Sequence, residues 1–140
     1  MCAFVAPCSH VSEKKILVVD DNPEIRRLLL LHLKQSGYDT VEAATGREGV
    51  EKARATHPDL IIMDLAMPDG TGAEAIVSLK ADPLTQDIPI VVLTALLEGA
   101  LVDRAIAAGA AEILHKPVSF KWLDLVLQRH FLVRQERMFQ

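Results

Sequence analysis

The sequence predicts a parallel α/β sheet with helices on both faces, and three observations carry that expectation. Short apolar, β-branched runs alternate with helical patterns along the chain. The strongest runs, Ile16 to Val19, Leu60 to Met63 and Ile90 to Leu93, lack polar alternation, as strands buried on both faces do. At 140 residues, half of them hydrophobic and 24% charged, the chain is sized for one globular domain. A chain of this size buries roughly 68 to 70% of its unfolded surface and needs no disulfide or metal staple.

Thr40 to Ala43 and Glu112 to Leu114 complete a set of five strands. The first helix opens at Asn22 with Pro23 at its first position, carries Ile25, Leu28, Leu29, His32 and Leu33 at helical spacing, and stops at Gly37. The second has Thr45 and Glu48 at capping-box spacing, turns Val50 and Ala53 inward, and ends before Pro58. A third runs from about Thr71 to Ala81 and is broken by Asp82 and Pro83. A fourth spans about Glu98 to Ala108, with Gly109 as its cap. The fifth starts after Ser119, carries Trp122, Leu123, Val126, Leu127 and His130 or Phe131, and extends to about Glu136. No internal repeat, low-complexity tract or linker interrupts this series.

A net charge of −4 argues against binding nucleic acid by phosphate neutralisation, which needs a basic face. The last 22 residues do carry Lys121, Arg129, Arg134 and Arg137 against Asp124 and Glu136, which reads first as a solvated helix face and second as a docking surface. Cys2 and Cys8 lack the spacing of a zinc or redox site. The stretch up to Val11 has no positive start and too short an apolar run for a secretory signal, and no segment reaches the ~18 apolar residues of a membrane span. The expectations are a cytoplasmic protein, a flexible leader over residues 1–13, one domain over 14–132, and a C-terminal extension of the last helix over 133–140.

In an open parallel sheet, ligands bind outside the carboxyl ends of the strands. The first strand ends in Asp20 and Asp21, the third in Asp64, the fourth in Thr94, and the fifth in Lys116 followed by Pro117. Any one of these reads as a turn or capping residue. All five on one rim read differently. Three converging carboxylates repel unless a cation sits among them, and hard oxygen donors on a partly open rim suit Mg2+. One carboxylate can then act as nucleophile and form an acyl phosphate, and the central position of its strand makes Asp64 the natural acceptor. Lys116 offers a positive charge and Thr94 a hydroxyl to the phosphoryl oxygens.

The runs Val18-Val19-Asp20-Asp21, Asp64-Leu65-Ala66-Met67-Pro68-Asp69-Gly70-Thr71-Gly72, Leu93-Thr94-Ala95 and Lys116-Pro117 resemble, in order and spacing, the response-regulator receiver domains of two-component signalling. The resemblance covers about residues 14 to 132. It implies a flavodoxin-like, doubly wound sheet in strand order 2-1-3-4-5. It implies a phosphorylation-dependent switch that catalyses its own phosphorylation and dephosphorylation without being an enzyme on other substrates. Asp64 would accept the phosphoryl group from a histidine kinase or histidine phosphotransfer protein, as in a phosphorelay. Asp21, Asp64 and the Ala66 carbonyl would ligate Mg2+, with Asp20 assisting through water, Thr94 as switch hydroxyl and Lys116 as phosphate partner. The Lys116-Pro117 bond would be cis, aiming the lysine at the site. A downstream protein would read the face of helix 4, strand 5 and helix 5, and the resemblance leaves room for a homodimer.

Three departures from the family matter. Ile113 stands where most receivers carry Tyr or Phe, so no ring can follow Thr94 inward and any switch must run through the backbone and helix 4. In the family the residues two after the acceptor and two after the switch threonine line the approach of the hydrolytic water; here these are Ala66 and Leu96, and neither side chain can hydrogen-bond a water, which predicts slow loss of the phosphoryl group. No output domain follows the fifth helix, which fits a single-domain regulator or a fragment; Arg134, Arg137, Met138 and Phe139 would form a docking element or the start of a linker.

The competing readings are a pseudo-receiver that binds without phosphotransfer, a haloacid dehalogenase-type phosphatase and a flavodoxin. Asp69-Gly70-Thr71 resembles the end of the dehalogenase signature, but Met67 occupies the position of its nucleophile. Asp21-Asn22-Pro23 replaces a flavodoxin's phosphate loop. His10, His32, His57, His115 and His130 lack metal-site spacing and read as surface or helix-end residues; strand alternation points His115 away from Lys116.

Overall fold

The computed structural model describes residues 14–67, 72–96, 98–117 and 119–138, with side chains as far as residue 132. The expected leader with Cys2, Cys8 and His10 lies outside the described residues, as do residues 68–71, Phe139 and the side chains of Arg134, Arg137 and Met138.

All five expected strands form: β1 (Lys15–Val19), β2 (Asp39–Ala43), β3 (Leu60–Met63), β4 (Ile90–Thr94) and β5 (Glu112–His115). They pair in parallel in the order β2-β1-β3-β4-β5, which is the 2-1-3-4-5 order of the flavodoxin-like fold. The three inner strands are buried almost throughout, whereas β2 and β5 are half-exposed edges. That division explains why the inner runs carry no polar alternation.

Five helices cover the sheet: α1 (Pro23–Gln35), α2 (Gly46–Thr56), α3 (Gly72–Ala81), α4 (Ala100–Ala108) and α5 (Phe120–Met138). Alternate residues of one strand point to opposite faces. Leu17, Val19, Ile61, Met63, Ile90 and Val92 therefore pack on Ala53, Ile76, Leu79, Val102 and Ala105 of α2, α3 and α4. Ile16, Val18, Leu60, Ile62, Val91 and Leu93 pack on Leu29, Leu30 and Leu33 of α1 and Leu123, Val126 and Leu127 of α5. The chain turns from one face to the other where β1 lies between β2 and β3, and the rim of the sheet opens there.

The caps show how local chemistry sets the ends. The Asn22 side chain accepts the amide hydrogens of Glu24 and Ile25. Thr45 Oγ1 accepts the Glu48 amide at 3.1 Å, but the Glu48 carboxylate accepts from Ala44 N at 2.7 Å, one residue before the donor of an ideal capping box. His57, in the left-handed region at φ 50°, ends α2 directly before Pro58. The first helical residue of α4 is Ala100, two residues later than expected, because Gly99 at φ 122° stands at its cap. The Ser119 hydroxyl accepts the Trp122 amide at the head of α5, which runs two residues beyond Glu136. Among the described residues no helix is long and apolar enough to cross a membrane.

Candidate acidic site at the carboxyl rim

The site follows from where the strands stop. Asp20 takes the first position past β1, its amide still donating to the Ala43 carbonyl of β2 at 3.1 Å. Asp64 takes the first position past β3, its amide donating to the Val19 carbonyl at 3.0 Å. Both are buried, at 2% and 5% exposure, while Asp21 is half-buried. One carboxylate oxygen from each of Asp20, Asp21 and Asp64 lies within 4.8 Å of the other two.

Backbone and side-chain donors hold these acids. The Asn22 amide donates to Asp20 Oδ1 at 2.9 Å and the Ala66 amide to Asp64 Oδ1 at 3.0 Å. From the first position past β5, Lys116 sends Nζ to Asp20 Oδ2 at 3.0 Å and to Asp64 Oδ2 at 3.4 Å. The Lys116-Pro117 peptide bond is cis, and the Lys116 amide donates to the Thr94 carbonyl at 2.8 Å.

Among the described residues the charges at the rim do not balance. Burial raises the Asp64 carboxyl above its ordinary pKa, and the neighbouring Asp20 charge adds to that, against the lowering effects of the Ala66 amide and Lys116. Burial pulls the Lys116 ammonium down, but the Asp20 hydrogen bond and the charges of Asp64 and Asp20 outweigh it and its pKa is raised. Among the described residues, three carboxylates thus meet and one ammonium pairs with two of them. The donor set is all oxygen and its Asp21 side is partly open, which fits a hard divalent cation that keeps some of its water.

Of the residues expected at the rim, Asp20, Asp21, Asp64 and Lys116 converge. Ala66 reaches the site through its amide. Thr94 is placed at the end of β4 but fully buried, and its hydroxyl accepts the Leu96 amide at 3.2 Å. Leu96 and Ile113 are half-buried against the core on the side of α2, α3 and α4. His115 turns away from the lysine, as alternation requires, with Nδ1 at 3.1 Å from the Leu96 carbonyl. His32 lies in the last turn of α1, a helix-end position, and is half-buried there: its Nε2 lies 2.7 Å from Asp124 and its ring stacks on Phe120 at 4.2 Å, joining α1 to α5.

Two residues at the site escaped sequence reasoning. Arg26 on α1 donates from Nη1 to the Asp20 carbonyl at 2.6 Å and pairs through Nε with Glu42 of β2 at 2.9 Å. Nothing in the pattern of α1 marks it, because the contact depends on which strand neighbours β1. Gly72 opens α3 against the acceptor loop, and a Cβ there would stand 2.6 Å from the Asp64 carbonyl oxygen and 2.9 Å from Leu65 Cα. Its place in the Asp64 to Gly72 motif was the available signal.

The model of the response regulator receiver domain matches residues 16–128. This chain belongs to that family, the receiver domains of two-component signalling. It is 38% identical over 110 residues to the phosphate regulon transcriptional regulatory protein PhoB of Escherichia coli, covering 79% of this chain and 48% of that protein. The chain therefore spans about half the length of the curated relatives it matches. Chemotaxis protein CheY4 of Vibrio cholerae superposes with a TM-score of 0.77 at 34% identity, covering 83% of this chain and 97% of that one. The receiver domain of sensor histidine kinase PA1611 from Pseudomonas aeruginosa, solved with a magnesium ion in its active-site cleft, gives 0.77 at 30% identity over 83% and 95% of the two chains.

Proposed function

We propose that this chain is a phosphorylation-driven switch that takes a phosphoryl group onto Asp64 with the help of Mg2+. The observation that carries the reading is the meeting of Asp20, Asp21 and Asp64 with a single ammonium, Lys116, between two of them. Asp20, Asp21, Asp64 and the Ala66 carbonyl are the groups that would hold the ion. When bound, Mg2+ supplies charge neutralisation for the acids and the transferring phosphoryl oxygens.

A carboxylate oxygen of Asp64 attacks the phosphorus of a phosphohistidine or acyl phosphate. The new O–P bond forms as the donor's bond to phosphorus breaks, and the freed imidazole or carboxylate leaves with that electron pair. Lys116 stands within reach of the acceptor and stabilises the negative oxygens. The Thr94 hydroxyl can exchange its Leu96 amide for a phosphoryl oxygen, and that exchange moves the Leu96 loop. With Ile113 packed on the core in place of an aromatic, the movement passes through the loop to α4, and a downstream protein reads α4, β5 and α5.

The donor is a histidine kinase or a histidine phosphotransfer protein. Such a partner must cover the rim to reach Asp64, and beside Lys116 runs an apolar groove lined by Ile25, Leu28, Ala95, Pro117 and Phe120 that suits a helical partner. The test is intact mass over time with Mg2+ and a small acyl-phosphate donor, with Asp64→Ala alongside. One added phosphoryl group that requires both Mg2+ and Asp64 supports the proposal. No addition to a folded, Mg2+-bound protein rejects it for small donors; if a phosphorylated histidine protein also fails, the pseudo-receiver reading replaces it.

A further inference from the structure

We infer that Arg26 is the positioning residue of the acidic site: its guanidinium, anchored by Glu42, holds the Asp20 carbonyl and so sets the direction in which Asp20 and Asp21 present their carboxylates. The inference rests on the Mg2+ reading above and adds to it a group that touches neither the ion nor the phosphoryl oxygens.

Every hydrogen-bonding group of Asp20 is committed. Its amide donates to Ala43, its Oδ1 accepts from Asn22 and its Oδ2 from Lys116. The remaining group is its carbonyl, the first past the end of β1. That carbonyl belongs to the peptide linking Asp20 to Asp21, so its direction sets the rotation of the step between the two acids. Arg26 Nη1 accounts for it at 2.6 Å.

The guanidinium has a second partner. Its Nε meets Glu42 Oε1 at 2.9 Å, and Lys52 Nζ donates to the Glu42 carbonyl at 2.6 Å, so the clamp ties the first turns of α1 to β2 and, through β2, to α2. The Arg26 side chain is 17% exposed and its bond to the Asp20 carbonyl is partly buried, whereas Glu42 is 53% exposed and its pairing with Arg26 is open to water. A planar fork can bond a carboxylate and a carbonyl at once in fixed geometry, which an ammonium on a flexible stem does poorly. Partners bonded directly to metal ligands are worth about 10- to 100-fold in metal affinity, and Arg26, which acts one peptide away, belongs at the low end of that range.

The experiment is a Mg2+ titration of the purified chain, followed by NMR on the backbone amides of residues 20–22 and 64–66, with melting temperatures recorded in parallel. R26Q is expected to bind Mg2+ about tenfold more weakly while folded. R26K should recover part of that loss. Phosphoryl loading of R26Q should return toward the wild-type rate at saturating Mg2+, because the acceptor Asp64 and its partner Lys116 are both retained. R26Q that is folded and binds Mg2+ within twofold of wild type overturns the inference and leaves the Mg2+ reading standing. A purely structural role would lower the melting temperature without moving the affinity of the folded protein, and that too overturns it. If R26Q does not fold, E42Q decides: weaker Mg2+ binding supports the clamp and unchanged binding overturns it. A wild-type chain that takes no Mg2+ overturns the Mg2+ reading and this inference together.

Discussion

Lys116 lies closer to Asp20 than to Asp64, with Nζ 3.0 Å from Oδ2 of the first and 3.4 Å from Oδ2 of the second. The ammonium that would meet the phosphoryl group is thus shared between two buried acids. Any cation entering the site meets the lysine's charge as well as the carboxylates.

Replacing Lys116 by Ala separates its two effects. Mg2+ should bind at least as tightly, because a competing positive charge is gone. Phosphoryl acceptance at saturating Mg2+ should fall by about 10²-fold, the usual loss when one preorganised charge donor is removed. Calorimetric titration and mass-resolved loading kinetics measure the two quantities independently.

Asp64→Asn should stabilise the metal-free protein and raise its melting temperature, because burial and the Asp20 charge both disfavour the Asp64 carboxylate. The folded Asp64 carboxyl has a raised pKa, so the native state binds more protons than the unfolded chain between the ordinary value and the raised one. Stability in the absence of Mg2+ therefore falls as pH climbs through that window and stays lower at neutral pH. Thermal melts across pH should show this fall in the wild type and a smaller one in the variant. Added Mg2+ should stabilise the wild type far more than Asp64→Asn.

Gly72→Ala should destabilise by about 1 to 3 kcal/mol, the range for overpacking. The added methyl would meet backbone atoms at 2.6 and 2.9 Å, and neither the Asp64 carbonyl nor Leu65 Cα can swing aside as a flexible side chain could. Denaturant unfolding gives the value. A loss of Mg2+ affinity should accompany it, since the displaced atoms belong to the acceptor loop.

Loss of the phosphoryl group from Asp64 should be slow for a receiver, because Ala66 and Leu96 offer no side-chain hydrogen bond to an attacking water. Leu96 is held on the core, so the exposed Ala66 is the position to change. Ala66→Asn should speed hydrolysis by roughly tenfold, the effect of about 1.4 kcal/mol from one positioned hydrogen bond. Decay of the phosphorylated mass after removing the donor reports it, and a short wild-type half-life would reject the expectation.

Sequence by itself determined the elements and their order. Periodicity separated the unalternating inner strands β1, β3 and β4 from the helices, and Asn22, Thr45, Gly109 and Ser119 placed four helix ends, because caps and periods depend on neighbours a few residues away. The acids at the strand ends and Lys116 were likewise visible as types in positions, and their spacing carried the family resemblance. Tertiary structure decided what those groups touch. Lys116 meets Asp20 across 96 residues of chain, and Arg26 finds Glu42 only because β2 lies beside β1. The Thr94 hydroxyl turns to the Leu96 amide, and Glu48 reaches back to Ala44. Strand order and side-chain packing set these directions, and both arise only once the sheet has assembled and its two faces are covered.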